Sequence, residues 1–226
     1  MITGTQLAYL SAVRKNLDFD PLKDFEPLYG LSRTDVLLLT SSKSSITNFS
    51  ELVTYGKTKQ SLMGAVQSPT TGISMSEIDS KFNTVTTLVS YKQSAQAVID
   101  LAAGRIDYTI SSSGNGAAQP LIDAGYLRPI AVLGLLRSPA YPKLKTLKEQ
   151  GFDTVNDFGW TAFFINSSLS PALKKDYAEK LKRVMNSDYG ANYENIQGKP
   201  HRLLMNAQDV KKKQLAKLAA IIKYAK

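Results

Sequence analysis

Polar residues that could bind a small anion follow a strand predicted over 86–91. The run Tyr91-Lys92-Gln93-Ser94 precedes an amphipathic stretch, 94–103, that is predicted to be a helix. Open α/β sheets bind small ligands where strands end and helices begin, and a helix N-terminus favours a negative charge. Tyr91 and Ser94 are therefore predicted ligand contacts, whereas Lys92, at a loop tip, is expected to be solvated.

Hydroxyl side chains follow another predicted strand earlier in the chain. Ser68, Thr70 and Thr71 lie in a polar turn predicted over 67–72, before a helix predicted over 73–82. Backbone N–H groups and hydroxyls in such a turn can hold an anion. Serine and threonine are also preferred helix N-caps, so these residues either cap the helix or contact a ligand, and the two roles are compatible.

Two serines and the single tryptophan complete the set of candidate ligand contacts. Ser111 and Ser112 lie at the end of a strand predicted from 108 to 111, at the same sheet edge; this serine-rich stretch is either a linker or a ligand contact. Trp160 is either an apolar wall of the cleft or a core residue.

Residues for catalysis or metal binding are scarce in this sequence. His201 is the only histidine, and it is expected on a surface loop. A Ser-His-Asp triad would need it, and no Gly-x-Ser-x-Gly elbow is present. The absence of cysteine excludes disulfides and thiolate chemistry. No metal site, phosphate loop or dinucleotide fingerprint is recognised, so no cofactor and no enzymatic activity are predicted.

The charge of the chain is basic but does not indicate nucleic-acid binding. The 226 residues carry a formal net charge of +9. The densest lysine cluster lies on a predicted C-terminal amphipathic helix without interleaved aromatic residues, so a solvated helix face is favoured. It comprises Lys211, Lys212, Lys213, Lys217 and Lys223. No apolar run is long enough for a membrane span, and no secretory signal is visible.

Strands and helices are predicted to alternate through the middle of the chain. This pattern predicts a parallel sheet flanked by helices. The predicted strands are 28–31, 36–40, 61–66, 86–91, 108–111, 127–133 and 158–165. A helix followed by a turn is predicted over 1–20, and the other main predicted helices are 47–56, 73–82, 94–103, 171–185 and 209–225. Two lobes are expected: lobe 1 from residues 1–40 and 134–226, and an inserted lobe 2 from 41–133.

Six segments in collinear order resemble the solute-binding receptors of tripartite tricarboxylate transporters, the Bug family. They are residues 19–27, 91–97, 101–107, 124–132, 137–139 and 160–164. The resemblance implies an α/β fold of the periplasmic-binding-protein type (type II), with two lobes and parallel-type sheets flanked by helices. It also implies a receptor that closes on a small carboxylate in the periplasm and presents it to membrane transporter subunits. The lobes would rotate about strands near 36–40 and 130–133.

Comparison with the family's pattern also predicts two differences in this chain. The first strand–helix unit of a typical member, with its Gly-rich loop, is expected to be missing before Met1. The family's Gly-rich turn corresponds to residues 64–70, where Pro69 removes backbone freedom and one N–H donor. These departures keep a second hypothesis open, in which the chain is a truncated or degenerate paralogue. Such a paralogue would serve as an interaction module or would bind no ligand.

Overall fold

Strands and helices alternate along the computed structural model, much as the sequence pattern predicts. It describes residues 2–4, 7, 10, 16–153, 158–188, 190, 201–202 and 207–224. The strands are β1 (Ile2–Gly4), β2 (Phe25–Ser41), β3 (Leu62–Val66), β4 (Thr86–Ser90), β5 (Tyr108–Ser112), β6 (Leu127–Val132), β7 (Phe158–Asn166) and β8 (His201–Arg202). The α-helices are α1 (Phe49–Thr58), α2 (Pro69–Phe82), α3 (Ser94–Ala102), α4 (Gln119–Asp123), α5 (Pro171–Met185) and α6 (Ala207–Tyr224), with a 3₁₀ turn at Lys148–Gln150.

Contacts divide the chain into two compact units. One contains Met1–Thr34 and Gly159–Lys226, and the other contains Asp35–Phe158. The chain passes from the first unit to the second within β2 and returns at the start of β7. The lobe bounds given above stay a prediction, but the contacts group 134–158 with the inserted unit. Leu147 explains this grouping, because it is buried in that unit's core and its N–H donates to the Val132 carbonyl at 3.2 Å.

The inserted unit contains one mixed sheet in the order β6-β2-β5-β3-β4. Strand β3 is parallel to β4 and to β5, which agrees with the predicted alternation. Strand β2 is antiparallel to both β5 and β6, so the predicted parallel pairing does not hold for this strand. Leu37, Leu38 and Leu39 are at most 1% exposed; a continuous apolar run indicates burial on both faces but does not report strand direction.

Each face of this sheet packs against its own pair of helices. Leu38 on one face clusters with Phe49 of α1 and Met75 of α2. Leu37 and Leu39, on the other face, cluster with residues of α3, including Val98 and Leu101, and with the residue before α4. This alternation follows from the period of two in a strand, and it fixes where the N-termini of α2 and α3 lie.

Close contact between α2 and the sheet depends on Gly64. A Cβ atom added there would lie 2.6 Å from Thr86 Cγ2 and 2.9 Å from Met75 Sδ. The far end of α2 is held by Asp79, whose carboxylate accepts hydrogen bonds from the hydroxyls of Thr84 (2.7 Å) and Thr86 (2.9 Å). These contacts fix the position of α2 against the sheet, and the start of α2 is thereby held at the end of β3.

The other unit corrects two predictions from the sequence. Ile2–Gly4 is a strand, not helix, because it pairs antiparallel with β7; most of the remaining predicted helix over 1–20 lies outside the described residues. His201 lies in strand β8, not in a loop, because its backbone pairs with Arg33. Helices α5 and α6 confirm the two predicted C-terminal helices.

Two further predictions of strand and helix bounds also need correction. The predicted strands 28–31 and 36–40 form one continuous strand, β2. Helix α2 begins at Pro69, so the predicted polar turn over 67–72 is mostly the helix's first turn. Proline is common both in turns and at the first helical position, and Ser68 decides between them by capping the helix.

Candidate functional site

Seven of the eight predicted ligand contacts lie at one edge of the inserted unit's sheet. Because β3, β4 and β5 are parallel, their last residues, Val66, Ser90 and Ser112, end at the same edge. We call this the carboxyl edge. The amide of Tyr91 donates to the Val66 carbonyl at 2.9 Å, and that of Ser113 donates to Asp35 at 2.7 Å. The segments that follow the three strands are thereby anchored at this edge.

The first turn of α2 carries a cluster of three hydroxyls. Ser68 is the N-cap and its side chain accepts from the Thr71 amide at 3.4 Å. Its Oγ also lies 2.9 Å from Thr70 Oγ1 and 2.8 Å from Thr71 Oγ1. Three hydroxyls carry three protons, and the two hydroxyl–hydroxyl contacts use two of them. One hydroxyl proton therefore remains for another acceptor.

Backbone groups at the same turn complete this cluster. Pro69 has no N–H, and the amides of Thr71 and Gly72 donate to the Ser68 carbonyl at 3.1 and 3.3 Å. Among the described residues, the Thr70 amide has no acceptor. A helix N-terminus carries partial positive charge, so this unpaired amide and the spare hydroxyl proton are suited to a negatively charged group.

Tyr91 is engaged by a neighbouring carboxylate. Its hydroxyl donates to Asp100 at 2.9 Å, and the same carboxylate accepts from Gln96 (2.9 Å) and from Arg105 (2.6 Å). The hydroxyl proton is therefore committed, which leaves the ring of Tyr91 for ligand contact. Ser94 opens α3, after a residue whose side chain makes no capping bond.

Removal of the Tyr91 hydroxyl tests this network. The Tyr91 hydrogen bond is the main cause that lowers the pKa of Asp100, so the pKa is expected to rise toward its ordinary value in Tyr91→Phe. A carboxyl group whose pKa is lower in the folded state than in the unfolded state stabilises the fold at any pH above its unfolded-state pKa. This stabilisation is lost as the pH falls through the folded-state pKa. Acid unfolding of Tyr91→Phe is thus expected at higher pH, with the Asp100 pKa followed by carboxyl NMR titration.

The matched control for this experiment is Tyr126→Phe. The Tyr126 side chain is 56% exposed, and its hydroxyl makes no hydrogen bond within the described part of the chain. The Asp100 titration should stay at the wild-type position in this variant. An identical Asp100 titration in Tyr91→Phe and the wild type would contradict the assignment.

Ser111 carries an unsatisfied buried hydroxyl. The residue is only 5% exposed, and its Oγ has no hydrogen-bond partner in the described residues. Ser112 is exposed and lies on the opposite face of β5, since side chains alternate along a strand. A buried hydroxyl without a partner costs free energy, so Ser111 is suited to bind a group that the protein itself does not supply.

Trp160 belongs to the other unit and is described separately. It is 5% exposed, and its ring centroid lies 6.2 Å from that of Phe164 on the same strand. This packing agrees with the core reading of Trp160. Its contact with a ligand stays a prediction.

Sequence reasoning missed the residues that orient the candidate contacts. Asp100 holds the Tyr91 hydroxyl in place. The sequence pattern that could have predicted this role is the spacing of Gln96 and Asp100 at positions i and i+4 of a helix, where their side chains can bond. Thr109 was missed too: it accepts from Gln67 at 3.3 Å and donates to the Ala65 carbonyl at 2.8 Å. Within the described residues, no group of acidic or histidine side chains could hold a metal ion, and no helix is long and apolar enough to cross a membrane.

Comparison with known proteins identifies the family. Residues 2–225 match the family model described as the tripartite tricarboxylate transporter family receptor. The chain belongs to this family. The resemblance predicted from the sequence is thereby confirmed, and this tripartite tricarboxylate receptor family is a family of receptors, not of enzymes.

Curated relatives match the chain at low identity. The UPF0065 protein in the gbd 5' region of Cupriavidus necator is 27% identical over 151 residues, which cover 65% of this chain and 45% of the relative. The chain spans about half the length of the curated relatives it matches.

Solved structures share the fold. R. palustris Rpa4515 with adipate has a TM-score of 0.79 at 24% identity, covering 99% of this chain and 75% of that one. MatC (Rpa3494) from Rhodopseudomonas palustris with bound malate has a TM-score of 0.75 at 19% identity, covering 100% and 78%. The predicted α/β fold of a solute-binding receptor is confirmed.

Proposed function

We propose that this receptor captures a small carboxylate at the carboxyl edge in the periplasm and presents it to the membrane subunits of a tripartite transporter. It carries out no reaction on the ligand. Family membership supports the receptor role. The two structural relatives hold adipate and malate, and both are dicarboxylates, which supports this ligand class.

The observation that carries the proposal is a surplus of donors at one sheet edge. The Thr70 amide lacks an acceptor, one proton of the hydroxyl cluster is spare, and the buried Ser111 hydroxyl is unpartnered among the described residues. A carboxylate offers two oxygens with about four acceptor sites. It would satisfy the Thr70 amide and the spare hydroxyl proton at the start of α2, and charge-assisted bonds of this kind are stronger than neutral ones.

The remaining predicted contacts have supporting roles in this proposal. Thr71 and Ser68 orient the hydroxyl cluster. Ser94 and Ser112 offer further hydroxyls, and the Tyr91 ring offers an apolar surface, while ligand contact by Trp160 stays a prediction. Closure follows if the ligand binds the closed state better than the open one, because only differential contacts shift such an equilibrium.

Calorimetric titration tests this function. The panel is adipate, malate, citrate, nicotinate and glutamate, with adipamide as an uncharged control of the same skeleton as adipate. Binding heat and a raised melting temperature are expected for at least one acid, and none for adipamide. Absence of both signals for every acid would refute the proposal.

The second candidate is an interaction module that no longer binds solute. It is favoured by one observation, namely that Pro69 removes an N–H donor from the first turn of α2. A folded chain with a cooperative melting transition but no response to the five acids would support this alternative. Binding of any acid at the carboxyl edge would eliminate it.

A further inference from the structure

Strand β4 is an outer strand of the inserted unit's sheet. Among the described strands it pairs only with β3, in parallel register from Thr86 to Ser90. The helices lie back from its outward side, because α2 is centred over β3 and α3 packs chiefly over β3 and β5. We call this outward side the β4 side. A strand without a second neighbour offers its backbone groups to another strand.

The alternation of backbone groups along β4 fixes what the β4 side presents. The Val85 carbonyl accepts from a β3 amide at 2.8 Å, and the Tyr91 amide donates to a β3 carbonyl at 2.9 Å. Odd-numbered residues of this segment therefore bond to β3, and the backbone groups of Thr86, Leu88 and Ser90 point outward. Among the described residues, the N–H and C=O groups of Leu88 and Ser90 have no partner.

Opposite charges lie at the two ends of the β4 side. The outward amide of Thr86 donates to the Asp79 carboxylate at 2.9 Å, and within the described residues no lysine or arginine bonds to Asp79. Lys92, two residues beyond the other end of β4, is exposed and has no acidic partner in the described part of the chain. One end of the β4 side thus carries an unpaired negative charge and the other an unpaired positive charge.

The composition of β4 lacks the features that keep outer strands unpaired. Segment 83–91 contains no charged residue, glycine or proline, and five of its nine residues are β-branched. Leu88 is 45% exposed. The opposite outer strand, β6, contains Arg128 and Pro129 and pairs with β2 through a register irregularity, and charges, prolines and bulges of this kind discourage pairing. The sheet is therefore protected at β6 and open to association at β4.

We propose that the β4 side pairs with the β4 side of a second copy of this chain, which joins the two sheets in a symmetric dimer. The two strands run antiparallel about a two-fold axis at Val89. The Leu88 amide then donates to the Ser90 carbonyl of the second copy, and the Ser90 amide of the second copy donates to the Leu88 carbonyl. Symmetry repeats both bonds. Since the Thr86 amide is bonded within its own chain, every outward amide of β4 has an acceptor.

The same register places opposite charges together. Thr86 of one copy lies opposite Lys92 of the other, and the Asp79 carboxylate is bonded to the Thr86 amide. The dimer therefore contains an Asp79–Lys92 pair at each end of the joined strands, and such charge complementarity fixes register. Val89 faces Val89 at the centre, which adds an apolar cross-strand pair.

The joined sheets leave room for the helices that cover them. Three strand spacings of about 4.8 Å separate β3 of one copy from β3 of the other, which is about 14 Å. The two α2 helices, each centred over β3, are then farther apart than the diameter of about 10–12 Å of a helix with its side chains. Pairing at β4 therefore needs no movement of α2.

Symmetric disulfide cross-linking tests this register. The chain has no cysteine, so Val89→Cys introduces a single thiol that can form a disulfide only between copies. Facing Cα atoms at a non-hydrogen-bonded antiparallel position are about 4.5 Å apart, within the disulfide range of about 4.4–6.8 Å. Mild oxidation is expected to give a covalent dimer.

The control for cross-linking is Val85→Cys, because Val85 is 59% exposed and lies four residues from the axis. Its two thiols would be roughly 26 Å apart at about 3.3 Å per residue, so no covalent dimer is expected. Equal cross-linking of the two variants, or none in Val89→Cys, would overturn the proposal.

Sedimentation of the unmodified chain tests the dimer itself. The average mass should rise from one chain toward two between about 1 and 500 µM, because a single strand pair belongs to the interfaces below about 1,200 Å² that form weak complexes. A mass that stays at one chain would overturn the proposal, and the β4 side would then serve another partner or none. A mass above two chains would also overturn it, since the pairing uses the β4 side of both copies.

Reversal of the Lys92 charge tests the predicted ion pairs. Lys92→Glu faces the Asp79 carboxylate of the second copy, and the like charges are expected to weaken dimerisation at least about tenfold. Lys145→Glu makes the same change of charge at an exposed position beside β6 and should leave dimerisation unchanged. Equal effects of the two variants would show that Lys92 does not face Asp79, and the register would be rejected.

Discussion

Replacement of Phe49 by alanine is expected to lower the free energy of unfolding by about 3–5 kcal/mol. Phe49 is fully buried between α1 and the sheet. Its ring meets Phe82 at 5.0 Å and Phe152 at 4.9 Å, in edge-to-face geometry, and those two rings lie 5.6 Å apart. Truncation removes the ring shared by both pairs and leaves a cavity that the two surviving rings cannot close. Urea denaturation followed by circular dichroism measures the change.

The matched control is Tyr126→Ala, which removes a ring that is 56% exposed in the same unit. A surface truncation of this kind is expected to change stability by no more than about 0.5 kcal/mol. If Phe49→Ala were to cost less than about 1 kcal/mol at an unchanged denaturant slope, the three rings would not form the packed cluster described above.

The helices and strands of the inserted unit could be predicted from the sequence because their signals are local. Asn48, a residue type preferred at helix N-caps, caps α1, since its side chain accepts from the Glu51 amide. The period of α3 also predicts its buried face, which includes Ala97, Val98 and Leu101. Strand direction was not predictable for β2, because an apolar run reports burial and carries no information about which neighbours it pairs with.

The sheet edge at which the candidate residues lie could be predicted from the sequence, but their individual hydrogen bonds could not. The order of strands and helices brings Ser68, Tyr91 and Ser111 to one sheet edge, and this follows from parallel topology alone. The engagement of the Tyr91 hydroxyl by Asp100 depends on how α3 packs on the sheet. Likewise, Ser111 is unpartnered because of the surrounding fold. No pattern in the sequence reports either fact.

Replacement of Thr70 by glutamate is expected to weaken binding of the dicarboxylate ligand by at least about 100-fold. Two carboxylates about 4 Å apart repel by about 4 kcal/mol at an effective dielectric constant of 20. The variant should nevertheless fold well, because an acidic side chain in the first turn of a helix is stabilising by about 0.3–1 kcal/mol. Calorimetry with the acid that binds the wild type measures the loss, and thermal melting without ligand measures stability.

Ser80→Glu is the control for added charge, because Ser80 is exposed and lies on the same helix. Ten residues separate the two positions, which is about 15 Å along the helix axis, beyond the screening length of about 8 Å at physiological ionic strength. Binding should therefore stay near the wild-type value in Ser80→Glu. If both variants bind the ligand as the wild type does, the start of α2 does not contact the carboxylate. If both lose binding equally, net charge and not the local donor set governs recognition.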